Sequence, residues 1–178
     1  LIFSTLTTHV SLNKINQYLS NKALIYEKII SLNETLINDF KKINPKIIIS
    51  GINPHAGEND TIGNEESIYL KPVIKKLNKS KIHIKGPYSA DGMINNRNLN
   101  EYDCFIFNYH DQALIPFKIL SKNNGVNFTS GLDIIRISPD HGTAYDIVGK
   151  NIASINGLIN CFKFIHKIDK NRNQIVKT

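Results

Sequence analysis

Short apolar runs alternate with amphipathic stretches along this chain. Lys46-Ile47-Ile48-Ile49-Ser50 reads as a buried strand, and similar short runs predict strands at 1–7, 81–85, 103–108, 125–129 and 134–137. Helical spacing places Leu24, Ile25, Ile29, Leu32, Leu36, Ile37 and Phe40 along one side of a helix over 23–42. Further helices are predicted near 65–79, 111–121 and 155–169, the first opening with Glu65-Glu66, favourable at a positive helix N-terminus. The Asn-rich stretch 95–100 suits a surface turn or a short polar helix. Strands alternating with helices in this way predict an α/β sheet covered on both faces. No internal repeat and no low-complexity linker interrupts it.

A chain of 178 residues suffices for one substantial core or one lobe of a larger enzyme. No run of 18 apolar residues is present, so no membrane-spanning helix is expected. Leu1 leads directly into a strand-like run without a basic segment, which is unlike a signal peptide and resembles an entry in mid-fold. Cys104 and Cys161 lack CxxC spacing, which suggests reduced, buried thiols in a cytoplasmic protein. The net charge of +7 and pI near 9.3 raise nucleic-acid binding as an option. Only Arg97, Arg136 and Arg172 are arginines, however, and the lysines are scattered through helices without an RNA-binding signature, so no nucleic-acid partner is expected.

Three histidines occupy compact polar motifs next to strand-like runs: Thr7-Thr8-His9, Asn53-Pro54-His55-Ala56-Gly57-Glu58 and Tyr109-His110-Asp111-Gln112. Open α/β sheets bind ligands at the C-terminal ends of their strands. Three imidazoles from three such ends can fill three positions of a metal and leave one open for substrate. A lone histidine is more commonly just a hydrogen-bonded polar residue. The threefold repetition of the context is what favours a metal.

In the second half, the loop 140–150 has glycines bracketing small and polar residues, which lets backbone N–H groups approach a ligand. It is not a GxGxxG fingerprint, so a Rossmann dinucleotide site is not supported. A plain turn is the simpler reading of the loop alone. Lys118, Asn127 and Arg136 recur at intervals of nine residues, each near a predicted element end. Converging there, they would suit a small phosphorylated or carboxylated substrate; otherwise they are unrelated surface residues. Arg136, set among Ile134, Ile135 and Ile137, is expected to have an anionic partner.

The segments TTHVSL, SGINPHAGEND, GPYSADGM, NYHDQALIPFK and GVNFTSGLDIIRISPDHGTAYDIVG, in that order, resemble the 4-hydroxythreonine-4-phosphate dehydrogenase family of pyridoxal phosphate (vitamin B6) biosynthesis. The likeness runs from His9 to the last helix but covers only the C-terminal half of that family, the N-terminal half being absent. It implies an incomplete three-layer α/β/α fold like that of the isocitrate and isopropylmalate dehydrogenases. Residues 1–178 would then be a metal- and substrate-binding lobe with a cofactor loop and C-terminal helix.

By motif, His9, His55 and His110 correspond to ligands of a divalent ion, zinc foremost, with magnesium or cobalt as alternatives. In that family the ligands come from both subunits of a homodimer, which the resemblance implies here too. Lys118, Asn127 and Arg136 fall on substrate positions, and Asp91 and Asp111 match acidic residues near the metal. His141, Gly142, Thr143 and Ala144 match the loop that binds NAD or NADP. The implied reaction oxidises 4-phosphooxy-L-threonine, with decarboxylation of the product. Lys118 or Asp111 would assist proton transfer, and Asp91 would orient a ligand imidazole.

Several positions depart from the family: Ala113 and Asp133 replace a glycine and a proline, Ser121–Asn124 replaces a glycine-rich stretch, and Val148 replaces an alanine. Two rival readings are a dehydrogenase of 4-phosphothreonate or 4-phosphoerythronate, and a non-catalytic metal-binding or dimerising remnant. The 178 residues alone are expected to be inactive.

Overall fold

Central strands of a parallel sheet are covered on both faces, so they carry unbroken apolar runs. In the computed structural model, which describes residues 1–122, 124–140, 142 and 144–173, two such strands form the core. β1 (Phe3–Thr5), β2 (Lys46–Ser50), β3 (His83–Tyr88) and β4 (Cys104–Phe107) make one parallel sheet in the order β1-β4-β2-β3. Ile47, Ile48 and Ile49 of β2 and every residue of β4 are buried.

Strand side chains alternate between the two faces. Ile47, Ile49, Ile84, Cys104 and Ile106 belong to the core that includes Ile15 and Leu19 of α1 (Ile15–Leu19), Ile25, Ile29 and Leu36 of α2 (Lys22–Asn38), and Val73 and Leu77 of α3 (Lys71–Lys79). Ile48, Phe105 and Phe107 pack instead with Met93 of α4 (Ala90–Met93), Leu99 of α5 (Asn96–Glu101) and Ala113 of α6 (His110–Ser121). Phe3 lies 5.1–5.7 Å, centroid to centroid, from Phe105, Phe107 and Phe117 and ties α6 to this second core. These are the three expected layers.

The remaining elements are a hairpin of β5 (Val126–Phe128) and β6 (Ile137–Pro139), and the helix α7 (Asn156–Asn173). Phe128 meets Phe40 edge-on at 5.6 Å.

Boundaries differ from the sequence pattern where local chemistry intervenes. α2 stops at Asn38 rather than 42, because Lys41 takes a left-handed φ of 53° and the Lys42 N–H closes on the Leu36 carbonyl at 2.9 Å. β6 starts at Ile137, three residues later than the apolar run. The Asn-rich stretch does form a short helix, α5, capped by the Asn95 side chain on the Asn98 N–H at 2.9 Å. The small helices α1 and α4 carry too few apolar residues to show a period.

Candidate active site

Because all four strands of the main sheet are parallel, the segments that follow them leave at one edge. Read across the order β1-β4-β2-β3, these segments carry His9, His110, His55 and Asp91. His9 and His110 lie on neighbouring strand ends, and their rings are 5.8 Å apart, centroid to centroid, tilted by 37°.

His110 is the first residue of α6, and Asp111 stands in that helix's first turn, where a carboxylate is favoured. The Nδ1 of His110 is 2.6 Å from Asp111 Oδ1. An ionised carboxylate only accepts, so Nδ1 must carry the proton, and the lone pair is left on Nε2. That is the tautomer a metal-ligating histidine needs. At His110 the imidazole is oriented by Asp111. Asp91 instead accepts a short hydrogen bond from the Ser89 hydroxyl, which, with the Gly92 N–H, holds its carboxyl below the usual range. The charge of His55 also lowers it, so the Asp91 carboxylate feels that ring.

The loop bearing His55 is built differently. From His55 to Asp60 six consecutive residues have positive φ, between 43° and 81°. Left-handed backbone costs about 1–2 kcal/mol per non-glycine residue, so such a run persists only where its surroundings hold it. Gly57, at φ 81°, is forced twice over: a Cβ there would lie 2.5 Å from the Gly63 carbonyl oxygen and 2.7 Å from Glu66 Oε2.

Glu66 is the clamp. It is fully buried at the head of the π-helical turn Glu66–Leu70, and its Oε1 accepts the Ile52 and Asn53 N–H groups, each at 2.7 Å. The Asn53 amide donates to Glu66 Oε2 at 3.0 Å and to Glu65 Oε2 at 2.7 Å. Asn16 also donates to Glu65, and these hydrogen bonds, Asn16 first, hold its carboxyl below the ordinary value. Glu66 thus serves the histidine loop rather than a helix dipole. Its signal in the sequence was an acid on the buried stripe Glu66, Leu70, Val73, Leu77.

The other candidates are placed less closely. Lys118 is exposed in the last turn of α6. Register pairs Asn127 with Ser138, and the Thr129 N–H bonds the Arg136 carbonyl at 3.0 Å, so Asn127 and Arg136 lie on one face of the hairpin with Thr129 between them. The Arg136 guanidinium donates to the Thr129 hydroxyl at 2.9 Å, and among the described residues it forms no ion pair with a side chain. Of the cofactor-loop residues, His141 and Thr143 lie outside the described residues. Ala144 has a left-handed φ of 49° and leads into a short 3-10 turn, Tyr145–Ile147.

As a metal centre, His9 and His110 fit as two imidazole donors on one side of an ion. Among the described residues no three His, Cys, Asp or Glu side chains of this one chain are placed to hold it. His55 does not join the pair within the chain.

The profile of the pyridoxal phosphate biosynthetic protein PdxA matches residues 1–165. The chain belongs to the PdxA family. It is 42% identical over 154 residues to the 4-hydroxythreonine-4-phosphate dehydrogenase of Zymomonas mobilis, covering 86% of this chain and 46% of that protein. It is 43% identical over 157 residues to the protein of the same name from Roseobacter denitrificans, covering 88% and 48%. The crystal structure of 4-hydroxythreonine-4-phosphate dehydrogenase from Klebsiella pneumoniae superposes with a TM-score of 0.78 at 32% identity, over 96% of this chain and 50% of that one. A terephthalate 1,2-cis-dihydrodiol dehydrogenase from Burkholderia xenovorans shares the fold at a TM-score of 0.73 and 25% identity. The chain therefore spans about half the length of the curated relatives it matches. Among the described residues, no helix is long and apolar enough to cross a membrane.

Proposed function

We propose that this chain is the metal- and substrate-binding half of a cytoplasmic dehydrogenase acting on 4-phosphooxy-L-threonine. The product, 2-amino-3-oxo-4-phosphooxybutanoate, would lose carbon dioxide to give 3-amino-2-oxopropyl phosphate. One observation carries the reading: the His9–His110 pair at the C-terminal edge of the sheet, with Asp111 fixing the proton of His110 on Nδ1.

When bound, a divalent ion (zinc first) would polarise the secondary hydroxyl, and NAD or NADP would accept the hydride. His9 and His110 would hold the ion from one chain, and His55 of a second copy would complete the set. Lys118, as the neutral amine, or the Asp111 oxygen not engaged with His110 would take the hydroxyl proton. Arg136 and Asn127, on one face of the hairpin, would hold the substrate's anionic groups, the planar guanidinium suiting phosphate or carboxylate. The backbone through His141, Gly142, Thr143 and Ala144 would take the dinucleotide. Exposed Ile115 and Ile119 on α6 and Leu158 and Phe162 on α7 support a covering by further polypeptide, the rest of the family fold or the second copy.

The test is NADH formation from 4-phosphooxy-L-threonine with saturating metal. The chain joined to the part of the family fold that lies outside it should turn over, and the 178 residues alone should not. A joined protein that binds metal and substrate but forms no NADH would overturn the reading.

A further inference from the structure

We infer that Gln112, together with Asn108 and Ser50, is a positioning device that sets the spacing of the histidine-bearing loops. The inference rests on the metal reading proposed above. The backbone ladder between β2 and β4 ends at the pair Ile49–Ile106, whereas β1 stays tied to β4 beyond that level through the Leu6 N–H on the Phe107 carbonyl at 2.8 Å and the Thr7 N–H on the Asn108 carbonyl at 3.1 Å. Past Ile49–Ile106 it is side-chain amides that lace β2 to β4.

The Asn108 Nδ2 donates to the Ser50 carbonyl at 2.9 Å and lies 3.2 Å from its hydroxyl. The Gln112 Oε1 accepts the Ser50 hydroxyl at 3.0 Å and the Asn108 N–H at 2.9 Å, while its Nε2 donates to the Gly51 carbonyl at 2.9 Å. On the other side, the Thr7 hydroxyl and N–H both reach the Asn108 carbonyl, at 2.7 and 3.1 Å. Thr7 is two residues before His9, Asn108 two before His110, Gln112 two after it, and Gly51 opens the loop to His55.

Ser50 and Asn108 are fully buried and Thr7 nearly so. Polar groups are costly there unless they are mutually satisfied, and apolar side chains would fill the same space without that requirement. What amides add over apolar filling is direction and fixed distance. One buried acceptor, Asn108 Oδ1, has no partner among the described residues, so the amide is retained for what its NH2 group ties together. Gln112 is the only one of these side chains that bonds both the loop toward His55 and the strand end toward His110 while sitting on the helix that His110 opens.

The experiment uses the full 178-residue chain with Gln112→Met, an apolar side chain of similar length, and Gln112→Glu, which keeps the acceptor. Hydrogen–deuterium exchange reads the positioning itself. In Gln112→Met, exchange should rise in peptides covering both 50–58 and 106–112, with α2 and α3 unchanged. Cobalt(II) titration, followed by its visible spectrum, reads the consequence: affinity weaker by up to the roughly 10- to 100-fold that loss of a ligand's direct hydrogen-bond partner costs, with a changed band shape and partial recovery in Gln112→Glu. Exchange unchanged in the 50–58 peptides, or raised throughout the protein, would overturn the inference. If the unsubstituted chain fails to bind cobalt, the metal reading falls, while the exchange result still decides whether Gln112 couples the two loops.

Discussion

Arg172 of α7 grips Asp39 at the end of α2 through two parallel hydrogen bonds, Nε to Oδ1 at 2.7 Å and a terminal nitrogen to Oδ2 at 2.9 Å. Asp39 is buried, and the same guanidinium caps the Asp133 carbonyl at 2.8 Å. The Asp39 hydrogen bonds push the Arg172 pKa up, so the guanidinium keeps its charge. One arginine thus pins the C-terminal helix and the segment before β6 onto the main sheet's helical layer.

Removing it should leave a buried carboxylate without its cation. Arg172→Ala is expected to cost about 2–3 kcal/mol, somewhat below the figure for a fully buried pair because the arginine is partly exposed. Arg172→Lys should cost less but lose the two-pronged geometry. Urea denaturation of the variants checks both.

Asp103 gives the stability an acid limb. Burial pushes its carboxyl up, but Lys42 at 2.8 Å and the Lys46 N–H at 3.0 Å outweigh this, and the net shift is downward. A group whose folded pKa is depressed adds stability above its unfolded value, about 3.9, and loses it as pH falls through the folded value. Asp103→Asn should flatten the fall in stability below about pH 5 and leave the slope near neutrality unchanged. Denaturation midpoints measured across that range read the difference directly.

Burial pushes the Cys104 thiol up to about 12, and it also raises Cys161. Since the thiolate is the reactive form, neither cysteine should react with an aromatic disulfide at pH 8 in the folded protein, Cys104 least of all. Labelling should appear only as the chain unfolds, at the unfolding rate. Rapid labelling of Cys104 in native buffer would contradict the packing described for β4.

Much of this arrangement is legible in the amino-acid order. The Ile47–Ile49 run, the helical stripe from Ile25 to Leu36 and the repeated strand-then-histidine context locate the sheet, its covering helices and the edge that carries His9, His55 and His110. What the order does not show is pairing between distant side chains. Nothing local says that Glu66 will turn inward to hold Asn53, because that follows from how the histidine loop and the helical turn meet after the sheet has formed. The His110–Asp111 contact is between neighbours in sequence, and the order leaves open only the side-chain rotation that brings Oδ1 to Nδ1. Arg136 lies one residue before β6, and the order does not show that its guanidinium will rest on the Thr129 hydroxyl across the hairpin.

The His110–Asp111 contact makes a sharp prediction. Asp111→Asn can present either a donor or an acceptor to Nδ1, so the tautomer is no longer fixed. Metal affinity should fall by about 10- to 100-fold while folding stability stays nearly constant, Asp111 being largely exposed. Competition with a chromophoric zinc chelator measures the affinity, and a near-wild-type value would remove Asp111 from the site.

The central claim is that one chain supplies His9 and His110 and another supplies His55. His55→Ala and His110→Ala chains are each expected to bind no zinc at the site when pure. Unfolded together in equal amounts and refolded, they should recover about a quarter of the unsubstituted protein's sites, since half of randomly paired twofold dimers are mixed and each mixed dimer rebuilds one of its two sites. No recovery on mixing, although the unsubstituted chain binds zinc, would contradict the shared site, as would full zinc binding by His55→Ala alone.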